Sequence, residues 1–159
     1  MEYWGLTDPG CVRPQNQDIY QIEKLDSSTM LCVVCDGMGG AKSGNVASSL
    51  AADVFVQEVR RNWKHGLSEG RIDQILQNAV KLANFTVFDQ AQQFEEFNGM
   101  GTTLVAALVH GKKATVILLG GQSNAAGCSR DDYLQKNVSA EKYAEYAAGY
   151  DNVYINYYT

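Results

Sequence analysis

The 159-residue chain has neither an excess of positive charge nor a long hydrophobic run. Its 13 Lys and Arg are outnumbered by 18 Asp and Glu, so the net charge is −5 and no basic surface for nucleic acid is expected. No apolar run approaches the roughly 20 residues that a membrane span needs. The first residues lack the basic and apolar regions of a signal peptide. We therefore expect no nucleic-acid partner, no membrane association and a cytoplasmic location.

Cysteine and histidine are also scarce. Four Cys do not make a disulfide framework in a chain of this size. Cys32 and Cys35 form a C-x-x-C pattern inside a predicted strand, where an offset of three residues points the two side chains to opposite faces. We interpret both as small buried hydrophobes. His65 and His110 fall in predicted loops, where we expect both to be solvated.

The apolar pattern predicts one α+β domain. A hydrophobic content of 45% and a charged content of 19% are ordinary for a globular protein. Along the chain, a group of predicted strands is followed by a pair of helices and then by a second group of strands. This order favours antiparallel β-sheet layers packed against two antiparallel helices. The predicted strands are residues 2–7, 18–25, 30–35, 102–109 and 114–119, and the predicted helices are residues 43–61 and about 71–94.

The most informative feature is a carboxylate at the end of an apolar strand. Asp36 follows residues 30–35, and glycines follow it in Gly37-Met38-Gly39-Gly40. Such a carboxylate can bind a hard divalent cation, and glycines let backbone carbonyls approach a metal or a phosphate. Upstream, Arg13 and Asp18 supply a phosphate-binding group and a second carboxylate. The pattern predicts Mg²⁺- or Mn²⁺-assisted phosphate-ester hydrolysis, with solvated loop charges as the alternative.

Five short motifs occur in order between residues 3 and 119. They are Gly5-Leu6-Thr7-Asp8-Pro9-Gly10, Val12-Arg13 with Asn16 and Asp18, Val34 to Gly40, Gly44 to Ser48, and Gly101-Thr102-Thr103-Leu104. Together they resemble the metal-dependent protein phosphatase family known as PP2C or PPM. The resemblance implies a partial PPM-like β-sandwich with helices. It also implies a phosphorylated protein as substrate, hydrolysed at phosphoserine or phosphothreonine by water that two Mg²⁺ or Mn²⁺ ions activate.

The resemblance also implies roles for single residues. Met38 stands where some eukaryotic members have a histidine proposed as general acid, so the match is to the bacterial-type branch. Thr102 and Thr103 are expected to support the sheet rather than to contact substrate. The implied site residues are Asp36 as the carboxylate that bridges two metals, Gly37 as a backbone carbonyl ligand, Asp18 as part of the metal shell, and Arg13 as the group that holds the substrate phosphate.

The phosphatase pattern stops near residue 120. The family has a Gly-Asp-Ser-Arg turn where this chain has Gly121-Gln122-Ser123-Asn124, and glutamine lacks the negative charge of the aspartate. Because the family's later aspartates have no counterpart here, we predict an incomplete metal site with weak or no activity. We divide the chain into a partial phosphatase domain, residues 1–119, and a short α/β tail, residues 120–159, that does not match the phosphatase pattern. A phosphopeptide-binding pseudoenzyme and a fragment without function are the alternatives, and exposed sheet edges would favour self-association.

Residues 116–127 show a second resemblance, to the start of SGNH-type carbohydrate esterases of the sialate O-acetylesterase-like group. Ser123 matches the nucleophile of that family, which needs a histidine base and an oxyanion hole. Neither His65 nor His110 has the Asp-x-x-His spacing that supplies the base. A serine esterase fragment is therefore a further alternative. A gene fusion, a frameshift and a sequence-assembly artefact would all produce such a composite chain.

Overall fold

The computed structural model describes residues 2–11, 15–38 and 43–119. Residues 120–159, which include the predicted tail and Ser123, lie outside this part, as do Arg13, Gly39 and Gly40. The strands are β1 (Asp18–Lys24), β2 (Thr29–Met38), β3 (Gly101–Thr102), β4 (Leu104–His110) and β5 (Lys113–Leu119). Helices α1 (Gly44–Asn62) and α2 (Glu69–Gln93) lie between β2 and β3, and a 3₁₀ turn follows α2 at Glu95–Phe97.

The strands form one antiparallel sheet with the order β1-β2-β4-β5, and β3 pairs with the end of β2. The β1–β2 hairpin closes where the Leu25 N–H donates to the Thr29 carbonyl over 3.0 Å. The β4–β5 hairpin turns at Gly111, whose φ of +58° favours glycine. These short connections explain why sequence neighbours pair in the sheet.

Helix α1 covers one face of the sheet. Ala47, Ala51, Phe55 and Val59 recur every four residues and are almost completely buried, which places them on one side of the helix. Arg60 and Arg61 lie in the last turn, where positive charge favours the carboxyl end of a helix. The contacts of α1 with β1, β2 and α2 make it the central layer of the core.

Helix α2 packs against α1 after the connection at residues 63–68. It begins at Glu69, and an acidic residue in the first turn is favourable beside the helix dipole. Its buried side recurs at intervals of three or four residues and comprises Ile75, Leu76, Ala79, Val80, Ala83, Val87 and Ala91. Within the part of the chain that the structure describes, neither helix is long and apolar enough to cross a membrane.

The predicted α+β class is confirmed, and the two helices and four of the five predicted strands are found within a few residues of their expected bounds. The strand predicted at residues 2–7 is wrong, since residues 2–9 form no strand. An extended segment is a strand only if a neighbour pairs with it, and none does among the described residues. The proposed division at residue 119 stays a prediction.

Side chains alternate between two faces of the sheet. The core face meets the helices and carries buried residues such as Leu31, Val33 and Leu104. The other face, which we call the outer face, carries Val34, Val105 and Val116, all of which are exposed. Asp18 and Asp36 occupy one end of this outer face, because they keep the same alternation as Val34.

A candidate metal and phosphate site at the end of the sheet

Asp18 and Asp36 are brought together by the register of the first hairpin. They are direct partners across β1 and β2, and both are exposed. Paired residues of neighbouring strands project to the same face, so both carboxylates lie at the same end of the outer face. Two like charges in such a position repel each other, and a bound cation would relieve that repulsion.

Thr102 in β3 and Thr103, which follows it directly, hold the backbone of Asp36. The Asp36 N–H donates to Thr103 Oγ1 over 3.0 Å, and the Thr103 N–H donates to the Asp36 carbonyl over 2.9 Å. The Thr102 hydroxyl lies 3.0 Å from the same Asp36 carbonyl and 2.9 Å from the Thr103 carbonyl. These bonds fix the main chain that carries the carboxylate, as expected for residues that support the sheet.

Gly37 is buried directly behind the carboxylate. Its N–H donates to the Gln17 carbonyl over 3.0 Å. A Cβ at this position would overlap the carbonyl oxygens of Gln17 and Gly44, so only glycine fits without movement of the backbone. Gly44 is the first residue of α1 and is itself packed against the Gln17 side chain. This close approach joins β2, the start of α1 and the loop before β1 in one tight junction.

The loop before β1 is ordered by side-chain hydrogen bonds. The Asn16 side chain accepts from the Asp18 N–H over 3.0 Å and donates to Thr7 Oγ1 over 2.7 Å. Asp8 accepts from the Gly10 N–H over 2.7 Å, which closes the turn of the preceding motif. Asn16 therefore links the Asp18 backbone to Thr7 and helps to position Asp18.

The donor set fits a hard cation in kind. Carboxylate and carbonyl oxygens are the ligands that Mg²⁺ and Mn²⁺ prefer, and Asp18, Asp36 and the Gly37 carbonyl are oxygen donors. Among the described residues, no group of three or more His, Cys, Asp or Glu could hold a metal ion. The described part of the chain therefore offers two carboxylates where a divalent cation needs about six oxygen ligands.

The cysteine pair has the expected structural role. Cys35 is fully buried on the core face and Cys32 is half-buried on the opposite face. Burial raises the pKa of the Cys35 thiol to about 12, which leaves no reactive thiolate near neutral pH. Both His are exposed, as predicted, although His110 Nδ1 also lies 2.7 Å from the hydroxyl of the buried Thr29.

The structure thus combines an antiparallel sheet, two helices that pack on one of its faces and a pair of carboxylates at one end of the other face. A family model described as Protein phosphatase 2C matches residues 14–149. The chain belongs to the protein phosphatase 2C family. The serine/threonine phosphatase Stp of Listeria welshimeri is 32% identical over 135 residues, which are 83% of this chain and 49% of that protein. PstP of Mycobacterium tuberculosis is 28% identical over 76% of this chain and 21% of its own length.

Solved structures agree with this assignment. Serine/threonine phosphatase Stp1 from Staphylococcus aureus superposes with a TM-score of 0.61 at 36% identity, over 70% of this chain and 43% of that chain. The chain spans about half the length of the Listeria relatives that it matches. The resemblance of residues 116–127 to esterases finds no support in these comparisons.

Sequence reasoning missed two features of the site. Gln17 accepts from Gly37 and packs on Gly44, although nothing in its immediate sequence marks it. Thr103 was expected to support the sheet, but its bonds to Asp36 in particular depend on which strands pair. In the Gly-Thr-Thr sequence at residues 101–103, Gly101 and Thr102 pair with the end of β2 in antiparallel register. This sequence is the signal that could have located the contact.

Proposed function

We propose that Asp18 and Asp36 belong to the metal site of a phosphoserine and phosphothreonine protein phosphatase. The observation that carries the proposal is the direct pairing of the two exposed carboxylates across β1 and β2 in a chain of the phosphatase 2C family. The names of the relatives support a phosphorylated protein as the substrate. A cytoplasmic location is part of the same proposal.

Each residue of the proposed site has a distinct task. Asp36 and Asp18 would hold Mg²⁺ or Mn²⁺ through their carboxylates, and Gly37 would add its backbone carbonyl. When bound, the metal supplies a water molecule of lowered pKa as the nucleophile. Arg13 would bind the substrate phosphate through its guanidinium, which matches two phosphate oxygens at once. Thr102 and Thr103 keep the Asp36 backbone in place, so the carboxylate needs little reorganisation when the cation binds.

The test is Mn²⁺-dependent hydrolysis of p-nitrophenyl phosphate by the full chain and its variants. Loss of a metal ligand or of the phosphate-binding guanidinium should lower kcat/KM at least 100-fold in Asp36→Asn and in Arg13→Ala. Asp89→Asn is the matched control, because Asp89 is a partly exposed carboxylate on α2 that accepts a hydrogen bond from Gln93, one turn away on the same helix. Activity that survives Asp36→Asn and Arg13→Ala would overturn the proposal.

A phosphopeptide-binding pseudoenzyme is the second candidate, and the small number of carboxylates in the described part of the chain favours it. Such a protein would bind a phosphoserine peptide without turnover, through Arg13. Isothermal titration with the phosphorylated and the unphosphorylated peptide separates this function from catalysis. Binding that persists in Arg13→Ala would count against both functions.

We also propose that the chain can self-associate through its sheet edges. Strands β1 and β5 end the strand order, so each leaves one row of backbone groups without a ladder partner among the described strands. Sedimentation velocity over a tenfold range of concentration would detect this association. A sedimentation coefficient that stays constant at the monomer value would refute it.

A further inference from the structure

A groove, which we call the α2 groove, runs along the second half of α2 on the side of the sheet that faces the helices. One wall is α2 itself, whose residues at the groove recur at intervals of three or four from Val80 to Gln92. The other wall includes residues 98–102 and Leu104. The groove has a volume of about 360 Å³, which is within the range of ligand sites in proteins. Asp18 and Asp36 do not line it, so it is separate from the candidate metal site.

The floor of the α2 groove is apolar and its mouth is partly polar. The buried residues that line the floor are Ala83, Val87, Ala91 and Met100. Phe88 also lines the groove, yet it is 61% exposed, so it stands at the mouth. Asn84 and Gln92 lie one turn before and one turn after Phe88 and are exposed, which adds two side-chain amides to the mouth. Such a site accepts an apolar side chain and offers hydrogen bonds to the main chain beside it.

The turn after α2 is held in place by contacts within the chain. The Ser43 hydroxyl donates to the Glu96 carbonyl over 2.8 Å, and the Met100 N–H donates to the Phe97 carbonyl over 3.0 Å. The rings of Phe94 and Phe97 meet edge to face, with their centres 5.8 Å apart. Because this wall is already ordered, little free energy is lost in shaping the groove when a ligand binds.

The length of the α2 groove favours a peptide over a compact small molecule. Val80 and Gln92 are 12 residues apart, which corresponds to about 18 Å along a helix axis. An extended peptide advances about 3.4 Å per residue, so about five residues fill that length. One of their side chains can then occupy the apolar floor.

The charges around the α2 groove are negative. Between Lys81 and Lys112 the sequence contains no Lys or Arg, whereas Asp89, Glu95 and Glu96 are acidic. Glu95 and Glu96 are exposed shortly before the wall that begins at residue 98, and neither belongs to an ion pair among the described residues. Unpaired carboxylates beside an apolar groove attract the Lys or Arg side chains of a partner.

We propose that the α2 groove binds an extended basic segment of another protein, in which a bulky apolar residue lies between Lys or Arg residues. The apolar residue packs on the floor beside Phe88, and the cations lie near Glu95 and Glu96. The proposal goes beyond the phosphatase function, because binding in this groove needs neither metal nor phosphate. It assigns the chain a surface for a second protein that is separate from Asp36.

The probe is a fluorescein-labelled peptide in which a Leu-Phe pair lies between two lysines on each side. It is titrated with the full chain and followed by fluorescence anisotropy. The chain should bind it about tenfold more tightly than a peptide with Glu in place of each Lys, and about tenfold more tightly than one with Ser in place of Leu and Phe. Because salt screens exposed charges, an increase from about 0.05 M to about 0.5 M NaCl should weaken the first complex.

Phe88→Ser locates the apolar contact on the chain. This change should weaken the peptide complex about tenfold, because it removes the aromatic ring at the mouth of the groove. Phe85→Ser is the matched control, because Phe85 is 63% exposed on the same helix but does not line the groove. Both side chains are exposed, so the circular dichroism of both variants should equal that of the parent chain.

Neutralisation of the two glutamates locates the charge contact. The double variant Glu95→Gln with Glu96→Gln should weaken the peptide complex about threefold, as expected for exposed charges at a rim. Asp73→Lys is its control, because it changes the net charge by the same amount in the first half of α2, outside the groove. Asp36→Asn should leave the peptide affinity unchanged, so this test is independent of the phosphatase proposal.

Four results would overturn the proposal. The first is failure of the chain to bind the Lys-flanked peptide, or equal affinity for the Lys and the Glu peptides. The second is a complex that Phe85→Ser weakens as much as Phe88→Ser. A homodimer of the chain that Phe88→Ser dissociates would instead assign the groove to a second copy. Protection of Phe88 from hydroxyl radicals in the monomeric chain without peptide would assign the groove to residues 120–159.

Discussion

Replacement of Gly37 by alanine tests whether the tight junction behind Asp36 stabilises the protein. The added methyl group would overlap two backbone carbonyls, those of Gln17 and Gly44, which belong to different segments. Overpacking of this kind costs about 1–3 kcal/mol, and a weakened Gly37–Gln17 hydrogen bond adds about 1 kcal/mol. We therefore expect Gly37→Ala to lower the free energy of unfolding by about 2–4 kcal/mol, a large share of the 5–15 kcal/mol typical of a domain.

Urea unfolding followed by circular dichroism at 222 nm measures this effect, since α1 and α2 dominate the signal. Alanine substitutions at two other glycines serve as comparisons for the Gly37→Ala effect. Gly70 lies in the first turn of α2 with open space around it, so Gly70→Ala should stabilise the chain by up to about 1 kcal/mol. Gly111 is also unobstructed but has a φ of +58°, so Gly111→Ala should cost about 1–2 kcal/mol. A Gly37→Ala variant as stable as the parent chain would refute the reasoning.

Three further predictions concern other parts of the fold. The Ser28 N–H, with help from Trp63, holds the pKa of Asp26 below its ordinary value. Asp26 therefore contributes stability above about pH 4 that is lost as the pH falls further. The urea midpoints of the parent chain and of Asp26→Asn should converge below that pH. Cys35 should resist alkylation by iodoacetamide at pH 8 in the native chain while the exposed Cys11 reacts, as mass spectrometry of the intact chain would reveal; equal rates would contradict its burial. Thr103→Val should lower the free energy of unfolding by about 1 kcal/mol because the Asp36 N–H loses its acceptor, and an unchanged urea midpoint would contradict this role.

Local patterns predicted the elements better than they predicted the contacts. The burial of Ala47, Ala51 and Phe55 follows from their four-residue spacing in the predicted helix. The valine-rich run before Asp36 likewise predicted a strand. The strand predicted at residues 2–7 was wrong because strand formation depends on a partner, and a local pattern carries no information about one.

The candidate site was predictable as a set of residue types but not as a geometry. Asp18 and Asp36 are separated by a whole hairpin, and their pairing depends on a register that a shift of one residue would destroy. The outward direction of both carboxylates then follows from strand alternation, as does the position of Val34 on the same face. The helices bury one face of the sheet. The acidic pair and the exposed valines therefore share the other face.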